Sequence, residues 1–361
     1  MITLNNFKKD YLEIKSNLDI RLKKLFKHNI YILGPEVKEL EKKLSIIADF
    51  KYCIAVANGS DAIHLSLRAM NLPKGSEVIV PALSWISSAS SILLAGLKPV
   101  FVDVNMNNGC ISEDDIKNKI TLKTRCIISV NLYGNKPDYN KIYDLCKKRK
   151  IKLIEDAAQS FGSNKIKIKG TDILCTSFFP AKTLGCYGDG GACFTNNFNI
   201  YKKIIRLRSH GQVKKSYASN LGTNSRLDTI QACVLLSKIP YYEFNLKKRF
   251  DVAKKYKEYT SHLDIKYLLD LNVKKNNCTS FPIIINKRSE FVKFMKLNKI
   301  EIGTNYPYAL TQQPLFKKNN KKFKIANYIA KNIACLPINP YMKKSEIRYV
   351  VNKLETFILK K

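Results

Sequence analysis

The stretch Ser177-Phe-Phe-Pro-Ala-Lys-Thr-Leu-Gly185 decides the fold of this chain, because it places Lys182 between two apolar segments that resemble strands. Those segments cover residues 174–179 and 191–196. Aromatic residues and a proline precede the lysine, and small residues follow it. A lysine in a partly dry pocket can lose its proton and become an amine nucleophile, as Schiff-base formation with an aldehyde cofactor requires. The stretch alone indicates this function only weakly.

Short apolar runs alternate with amphipathic stretches between residues 50 and 200. The runs predict seven strands, at residues 53–57, 77–81, 99–104, 126–130, 152–154, 174–179 and 191–195. Helical segments lie between them, for example at residues 87–94 and 139–148. Such alternation predicts an α/β fold with a mostly parallel sheet covered on both faces. The last two strands follow each other closely and allow local antiparallel pairing.

The chain has 361 residues, which is too long for one compact core of ordinary size. We expect a large domain over residues 1–245 and a smaller α+β domain over residues 246–361. We also expect the first thirty residues to be helical and to pack against the smaller domain.

The sequence changes in character near residue 245. Lysine-rich helical segments at 247–263 and 289–298 flank one isolated strand at 280–285. A loop rich in proline and tyrosine follows at 306–314. This composition is the basis for the predicted smaller domain.

The formal net charge of +34 comes from basic residues spread through the whole chain, most of them lysine. A nucleic-acid-binding protein would concentrate such charge in an arginine-rich stripe with aromatic residues, so we expect no nucleic-acid partner. A recruiting role for anionic small molecules stays open. No apolar run approaches the ~20 residues of a membrane span, and the first residues lack a signal-peptide pattern, which predicts a cytoplasmic protein without a membrane partner.

The ten cysteines are scattered and form no C-x-x-C pair, and the four histidines do not cluster. We therefore expect buried free thiols and no metal site.

Acidic, amide and hydroxyl side chains follow the predicted strands. Asp156 and Gln159 come directly after the strand at 152–154; they could cap a helix, or they could bond the ring nitrogen and ring hydroxyl of a pyridoxal cofactor. Ser60, beside Asp61 in Asn58-Gly-Ser-Asp-Ala62, could cap the next helix or bind an anion. Ser177 lies five residues before Lys182, within reach of a cofactor phosphate.

Each of three further residues has two possible roles. Trp85, the only tryptophan, could fill the core or provide a flat platform for a heteroaromatic cofactor. Asn224 could be a turn residue and Arg226 a structural ion-pair partner, or both could point at an anionic ligand.

Taken together, these residues resemble the pyridoxal-phosphate-dependent nucleotide-sugar aminotransferases of the DegT/DnrJ/EryC1/StrS family. The resemblance runs nearly from end to end and rests on seven motifs: Tyr31-Ile-Leu-Gly-Pro-Glu-Val37, Asn58-Gly-Ser-Asp-Ala62, Glu77-Val-Ile-Val-Pro81, Glu155-Asp-Ala-Ala-Gln159, Ser177 to Lys182, Gly188-Asp-Gly-Gly191 and Asn224-Ser-Arg-Leu-Asp228. It implies the fold-type-I architecture of pyridoxal-phosphate enzymes and a homodimer with active sites at the subunit interface.

The resemblance also implies roles for individual residues. Lys182 would bind pyridoxal 5'-phosphate covalently, Asp156 would face the ring nitrogen and Gln159 the ring hydroxyl, and Trp85 would stack on the ring. The phosphate would be held by four residues: Ser60, Asp61 through its backbone amide, Ser177, and Asn224 of the second subunit. Some relatives are dehydratases with histidine at the lysine position, and Lys182 argues against that branch.

Within the family, the segments around Lys182 look most like aminotransferases acting on UDP-2-acetamido-2-deoxy-3-oxo-glucuronate, which use glutamate as donor and serve surface-polysaccharide or lipopolysaccharide synthesis. The sugar contacts implied by this resemblance are Asn29, Tyr31, Ala181, Arg226, Asn305 and Tyr306. Asn305 is a departure, since that subgroup tends to carry histidine there. Asparagine donates a hydrogen bond without charge, so Arg226 would have to bind a C6 carboxylate.

The resulting expectation is a pyridoxal-phosphate-dependent transfer of an amino group from L-glutamate to a UDP-linked 3-keto sugar. Two alternatives remain at this stage. One is an aminotransferase for a dTDP- or UDP-linked 3-keto or 4-keto 6-deoxy sugar. The other is a catalytically idle protein of the same fold that binds the cofactor and acts in regulation.

Overall fold

A seven-stranded sheet forms the centre of the protein in a computed structural model, which describes residues 1–163, 170–271, 276–319 and 323–359. Its strands are, in chain order, β1 (Tyr52–Val56), β2 (Glu77–Pro81), β3 (Lys98–Val102), β4 (Thr124–Val130), β5 (Lys152–Asp156), β6 (Ile173–Ser177) and β7 (Gly191–Thr195). The order across the sheet is β1-β7-β6-β5-β4-β2-β3. Strand β7 runs antiparallel to both of its neighbours, and the other pairs are parallel. The predicted mostly parallel sheet of seven strands is confirmed.

The strands form around short apolar runs, such as Val78 to Val80 in β2 and Cys126 to Ile128 in β4. In β2 and β4, residues such as Val78, Ile79 and Ile127 are fully buried. Continuous apolar runs are typical of parallel strands that are covered on both faces. Two predicted strands shift along the chain: the one expected at 99–104 ends at Val102, and the one expected at 174–179 ends at Ser177.

Eleven α-helices are present in the described residues, and several of them cover the two faces of this sheet. They are α1 (Phe7–His28), α2 (Pro35–Ala48), α3 (Gly59–Ala69), α4 (Ser87–Leu94), α5 (Glu113–Lys119), α6 (Tyr139–Arg149), α7 (Phe198–Leu207), α8 (Thr229–Tyr259), α9 (Arg288–Leu297), α10 (Lys324–Asn332) and α11 (Lys344–Leu359). The helix predicted at 87–94 is α4, and that predicted at 139–148 is α6. None of the described helices is long and apolar enough to cross a membrane.

Helix α3 begins at the edge of the sheet where β1 ends. Asn58 is its N-cap, because the Asn58 Oδ1 atom accepts a hydrogen bond from the Asp61 amide at 2.8 Å. The sequence had suggested Ser60 as a cap, but Ser60 lies inside the first turn. Its hydroxyl does not cap the helix and instead lies 2.5 Å from the Ser87 hydroxyl.

The C-terminal part contains a second sheet of three antiparallel strands, β10 (Lys266–Tyr267), β11 (Phe281–Ile284) and β12 (Ile333–Leu336). The prediction of one isolated strand at 280–285 is therefore wrong. Strand β12 follows α10 directly and has only four residues, so the pattern along the chain does not separate it from the helix.

The helix predicted at 247–263 is the second half of α8, which runs unbroken from Thr229 to Tyr259 with Pro240 inside it. The division of the chain at residue 245 remains a prediction. A two-stranded hairpin, β8 (Gln212–Lys214) and β9 (Tyr217–Ala218), precedes this helix. The segment predicted as a loop at 306–314 contains the short 3-10 helix Leu310–Gln312.

Helix α1 packs on the large sheet side of the molecule. Its buried residues Ile14, Leu18 and Leu25 belong to a core cluster that includes Phe178 of the lysine loop and Leu235 of α8. The prediction that the first thirty residues pack against the C-terminal part is therefore wrong for the apolar stripe of this helix, which packs on the first half of α8. The C-terminal part is reached by Ile2, which pairs with Ile300, and by polar side chains of α1: Lys9 donates to the Tyr341 carbonyl at 3.5 Å and Glu13 accepts from the Tyr341 hydroxyl at 2.9 Å.

Candidate active site

A cavity of about 580 Å³ lies at the carboxyl ends of strands β1, β5 and β6 and is closed on the other side by the end of β12. Polar ends of neighbouring strands meet here because parallel strands end at the same sheet edge. Nine of the predicted site residues line the cavity: Ser60, Trp85, Asp156, Gln159, Ser177, Ala181, Lys182, Asn305 and Tyr306.

Lys182 lies in the loop between β6 and β7, and its backbone amide donates to the carbonyl of Phe179 at 2.8 Å. The Lys182 side chain is partly buried and lines the cavity. Burial lowers the pKa of the Lys182 amine, and the nearby Asp156 carboxylate opposes the shift only in part. In the described part of the chain the Lys182 amine has no hydrogen-bond or ion-pair partner. An unpaired amine with a lowered pKa has the properties that a nucleophile needs.

Asp156 is the last residue of β5 and is 7% exposed. Its Oδ1 atom accepts from the Ala158 amide at 3.1 Å, and its Oδ2 atom accepts from the Ser88 hydroxyl at 3.4 Å. Burial raises the pKa of the Asp156 carboxyl, whereas the Ala158 amide, the charge of Lys182 and the Ser88 hydroxyl act against that shift. The pKa of Asp156 is raised and that of Lys182 is lowered, and the charges of the two groups interact. Shifted pKa values of this kind are typical of functional sites.

Gln159 is held at both ends of its amide group. Its Oε1 atom accepts from the Tyr133 amide at 2.7 Å, and its Nε2 atom donates to the Tyr306 hydroxyl at 2.9 Å. Tyr133 in turn donates its own hydroxyl to the Asn305 carbonyl at 2.6 Å. One N–H of the Gln159 amide remains for a ligand, which is compatible with the predicted contact to a ring hydroxyl.

The first turn of α3, together with the end of β6, forms a narrow polar recess. A Cβ atom on Gly59 would lie 2.7 Å from the Cβ atom of Ser177, and a Cβ on Gly191 would lie 2.5 Å from the backbone of Asn58. Only glycine permits these close approaches. The hydroxyls of Ser60 and Ser177 and the free amides of the helix start line the same recess, which is a suitable cradle for a phosphate.

Trp85 lies at the rim of the cavity and is 58% exposed. Its ring is 5.7 Å from that of Tyr306, at an interplanar angle of 42°. Trp85 therefore does not fill the core, and its role as a platform for a cofactor ring remains a prediction.

Five predicted site residues do not line this cavity: Asn29, Tyr31, Asp61, Asn224 and Arg226. Asn29 and Tyr31 form a pair on the surface, where the Tyr31 hydroxyl donates to Asn29 Oδ1 at 2.8 Å. Asn224 is exposed, and the buried Nε atom of Arg226 has no hydrogen-bond partner among the described residues. The role predicted for Asp61 involves only its backbone amide, which bonds Asn58.

Several cavity residues were not predicted from the sequence. Ser87 and Ser88 come from the start of α4, Ser84 lies in the loop before it, and Asn5 precedes α1. The Ser60 and Ser87 hydroxyls are 2.5 Å apart, so the serine-rich run at 84–91 was a usable signal. Thr279 and Ile338 had no such signal, because only the tertiary fold brings them to the cavity.

A family model, described as the DegT/DnrJ/EryC1/StrS aminotransferase family, matches residues 13–355. The chain belongs to this family. Among its relatives is the UDP-2-acetamido-2-deoxy-3-oxo-D-glucuronate aminotransferase of Pseudomonas aeruginosa, with 34% identity over 97% of this chain and 98% of the relative. A pleiotropic regulatory protein of Geobacillus stearothermophilus is also 34% identical, over 99% of this chain and 98% of its own length.

The fold agrees with solved structures of the DegT/DnrJ/EryC1/StrS family. One similar structure is that of NtdA from Bacillus subtilis with bound cofactor PMP, with a TM-score of 0.90, 29% identity and coverage of 96% of this chain and 82% of that chain. The predicted family, fold-type-I architecture and class of enzyme are confirmed, and the cofactor of this aminotransferase is pyridoxal phosphate.

The residues of the cavity fit that cofactor. The recess beside Gly59 is narrow and polar, as a phosphate site requires, the Lys182 amine has no partner among the described residues, and Asp156 lines the same cavity. The individual roles of the site residues remain predictions.

Proposed function

We propose that this protein transfers an amino group from L-glutamate to a keto group on a nucleotide-linked sugar. The observation that carries the proposal is that Lys182 and Asp156 line one cavity of about 580 Å³, which also contains the narrow polar recess beside Gly59. When bound, the cofactor supplies an electron sink for the electrons released at the donor Cα.

Residues of the chain would transfer the proton and hold the cofactor in place. Lys182, with its lowered pKa, would take the proton from the donor Cα and return it at the opposite end of the transfer. Asp156 would keep a negative charge against the ring nitrogen and so keep that nitrogen protonated. Ser60, Ser177 and the amides of α3 would anchor the phosphate, and Trp85 would hold the ring plane.

For the acceptor we propose a UDP-linked 3-keto sugar used in surface-polysaccharide synthesis. The proposal is supported by the 34% identity to the Pseudomonas aeruginosa enzyme over nearly the whole of both chains. Asn305 lines the cavity where a neutral hydrogen-bond donor can face a sugar hydroxyl. A dTDP-linked or 4-keto 6-deoxy sugar is the alternative acceptor.

We further propose that the protein is a homodimer in which each cavity is completed by the second copy. The support is the position of Asn224 and Arg226, which do not line the cavity of their own chain although Arg226 has an unpartnered buried Nε atom. Exposed apolar side chains near Asn29 and Tyr31, including Ile30 and Ile32, are compatible with a subunit interface. The cytoplasmic location remains a prediction.

A regulatory role without turnover is the second candidate. It is favoured by one observation, the 34% identity to a protein named as a pleiotropic regulatory protein. The complete set of Lys182, Asp156 and Gln159 in one cavity argues for turnover instead.

The test is a panel of 3-keto and 4-keto nucleotide sugars, each carried on UDP and on dTDP, incubated with the cofactor-loaded protein and L-glutamate. Mass spectrometry would follow the replacement of the keto oxygen by an amino group. We expect amination of a UDP-linked 3-keto sugar. Amination of none of the acceptors, with cofactor bound and glutamate unconsumed, would favour the regulatory role.

A further inference from the structure

A second, smaller cavity lies behind Lys182, on the side where α8 passes the loop that follows β12. Its volume is about 40 Å³, and Lys182 and Asn5 line both this cavity and the larger one. Roughly 10–15 Å³ of such volume is needed for each water molecule, so the space suits about three heavy atoms. That is the size of a carboxylate group and too small for a whole amino acid.

Arg249 of α8 is the unusual residue in its wall. The side chain is 7% exposed and lines the small cavity. Its one hydrogen bond in the described part of the chain runs from Nη1 to the carbonyl of Ile338 at 2.9 Å, and no carboxylate of the described residues forms an ion pair with it. A guanidinium carries five N–H donors, so most of its bonding capacity is unused. Burying a charge without a counter-charge is unfavourable in free energy, so a partner is expected.

Lys238, another cation in the wall, is already paired. The Lys238 amine lies 2.6 Å from Asp10 Oδ2 and donates to the Gly185 carbonyl at 2.6 Å. The Tyr187 hydroxyl also donates to Asp10 Oδ2, at 3.2 Å. Asp10 is therefore paired with Lys238, whereas Arg249 has no carboxylate partner among the described residues that line the cavity, so an anion is a suitable partner for it.

A neighbouring acid belongs to a separate network. Glu13 Oε2 accepts from Asn245 Nδ2 at 2.6 Å and from the Tyr341 hydroxyl at 2.9 Å. Both donors also line the small cavity, so the Glu13 carboxylate is occupied by them and not by Arg249. The Oδ1 atom of Asn245 is buried without a partner among the described residues, which marks the site as polar and incompletely filled.

We propose that Arg249 binds the α-carboxylate of the amino donor, which enters the small cavity past Lys182 while the rest of the donor occupies the larger one. This inference rests on the proposed aminotransferase function. An α-carboxylate is one bond from the carbon that exchanges its proton, so its anchor has to be close to the lysine. A guanidinium edge can bond both carboxylate oxygens at once, which would fix the direction of the Cα–H bond toward Lys182.

Measuring the two half-reactions separately distinguishes binding of the donor carboxylate by Arg249 from a purely structural role of this residue. The first half consumes the amino donor and the second consumes the keto sugar, and each is followed by the cofactor absorbance in a single turnover. For Arg249→Met we expect at least a tenfold rise in the glutamate concentration for half-maximal rate, with the sugar half-reaction changed less than threefold. Arg249→Lys should be intermediate, because it keeps the charge without the planar fork.

A direct binding experiment gives a readout besides activity. Acetate added to the wild-type protein should change the fluorescence of Trp85, the only tryptophan, and should compete with glutamate; neither effect should remain in Arg249→Met. Arg208→Lys is the matched control, since Arg208 is equally buried but is paired with Glu41 at 2.6 Å and does not line either cavity. It should keep the acetate response.

Three results would overturn the assignment. They are an unchanged glutamate half-reaction in folded Arg249→Met, an equal loss in both half-reactions, and a loss confined to the sugar half-reaction. If Arg249→Met does not fold, the absence of any acetate response in the wild-type protein is by itself sufficient to reject the site. If the wild-type protein aminates no sugar, the proposed function is wrong. The acetate experiment still tests separately whether Arg249 binds a carboxylate.

Discussion

Asp156 is buried, and we propose that its negative charge faces the ring nitrogen of the cofactor. Replacing it by asparagine keeps the shape and the bonds from Ala158 and Ser88 but removes the negative charge that would face the ring nitrogen. We expect kcat to fall by about 10²–10⁴, in the range typical of a lost acid–base contribution, with little change in the melting temperature. Steady-state kinetics and a thermal melt check this, and a variant with more than a tenth of the wild-type kcat would contradict the role.

Glu155, the neighbour of Asp156, is buried on the opposite face of β5 and accepts from Asn131 Nδ2 at 2.6 Å. Burial raises the pKa of the Glu155 carboxyl above its value in the unfolded chain. The stability that comes from its neutral form is therefore complete at low pH and is lost as the pH rises through the folded-state pKa. Glutamine at this position does not titrate.

Glu155→Gln should consequently gain in melting temperature over the wild type as the pH is raised from about 4.5 to 8, by roughly 2 °C or more. The exposed Glu290→Gln serves as control and should show a constant difference from the wild type across that range. A difference for Glu155→Gln that does not depend on pH would show that this carboxyl is ionised throughout.

The sequence predicts Lys182, Asp156 and Gln159 because each stands at a fixed short distance from an apolar strand. It does not predict Tyr133, whose amide holds Gln159, or Ser88, whose hydroxyl reaches Asp156, because these partners come from elements distant along the chain. Pairings of that kind depend on the order of strands in the sheet, which local patterns do not determine.

The N-terminus of helix α3 affects two properties: the stability of the helix and the proposed binding of the cofactor phosphate. Its N-cap Asn58 lines the main cavity, whereas Asn197 caps α7 away from it through bonds to the amides of Asn199 and Ile200. Asn58→Ala and Asn197→Ala should each reduce the free energy of unfolding by about 1 kcal/mol. Only Asn58→Ala should also weaken cofactor binding, by roughly fivefold.

Denaturant unfolding of the apoprotein and titration with the cofactor measure the two quantities separately. Equal cofactor affinities in the two variants would mean that the start of α3 does not form the phosphate cradle. Loss of affinity in Asn197→Ala would instead point to a general effect of destabilisation.

At the level of elements, long apolar runs and their spacing were sufficient to predict all seven strands of the large sheet. Strand β12 was missed because its four residues follow α10 without a turn, and its existence depends on pairing with β11. The packing of α1 was mispredicted for a related reason: an amphipathic stripe shows that a helix is covered, but not by which element.

The whole molecule is expected to work as a dimer, and mixing two inactive variants tests this arrangement. Lys182→Ala loses the amine, and Arg226→Ala loses a side chain that lies outside the cavity of its own chain. A mixed dimer would contain one site with both residues intact. Random exchange of equal amounts should therefore restore about a quarter of the wild-type activity.

Each variant assayed alone, at the same total concentration, is the control for this mixture. Mixing without any gain in activity, although exchange of subunits is demonstrated by mass, would place Arg226 in its own subunit's site or outside any site. The large net charge of the chain predicts neither outcome, since it is spread over the surface.

The central claim is that Lys182, among the dozens of lysines in this chain, is the one that binds pyridoxal phosphate covalently. Reduction of the cofactor-loaded protein with borohydride, followed by peptide mass spectrometry, reads out the modified residue directly. The account predicts one cofactor per chain, on the peptide that contains Lys182, and none in Lys182→Ala. A cofactor attached to another lysine in the wild-type protein, or none retained after reduction, would contradict it.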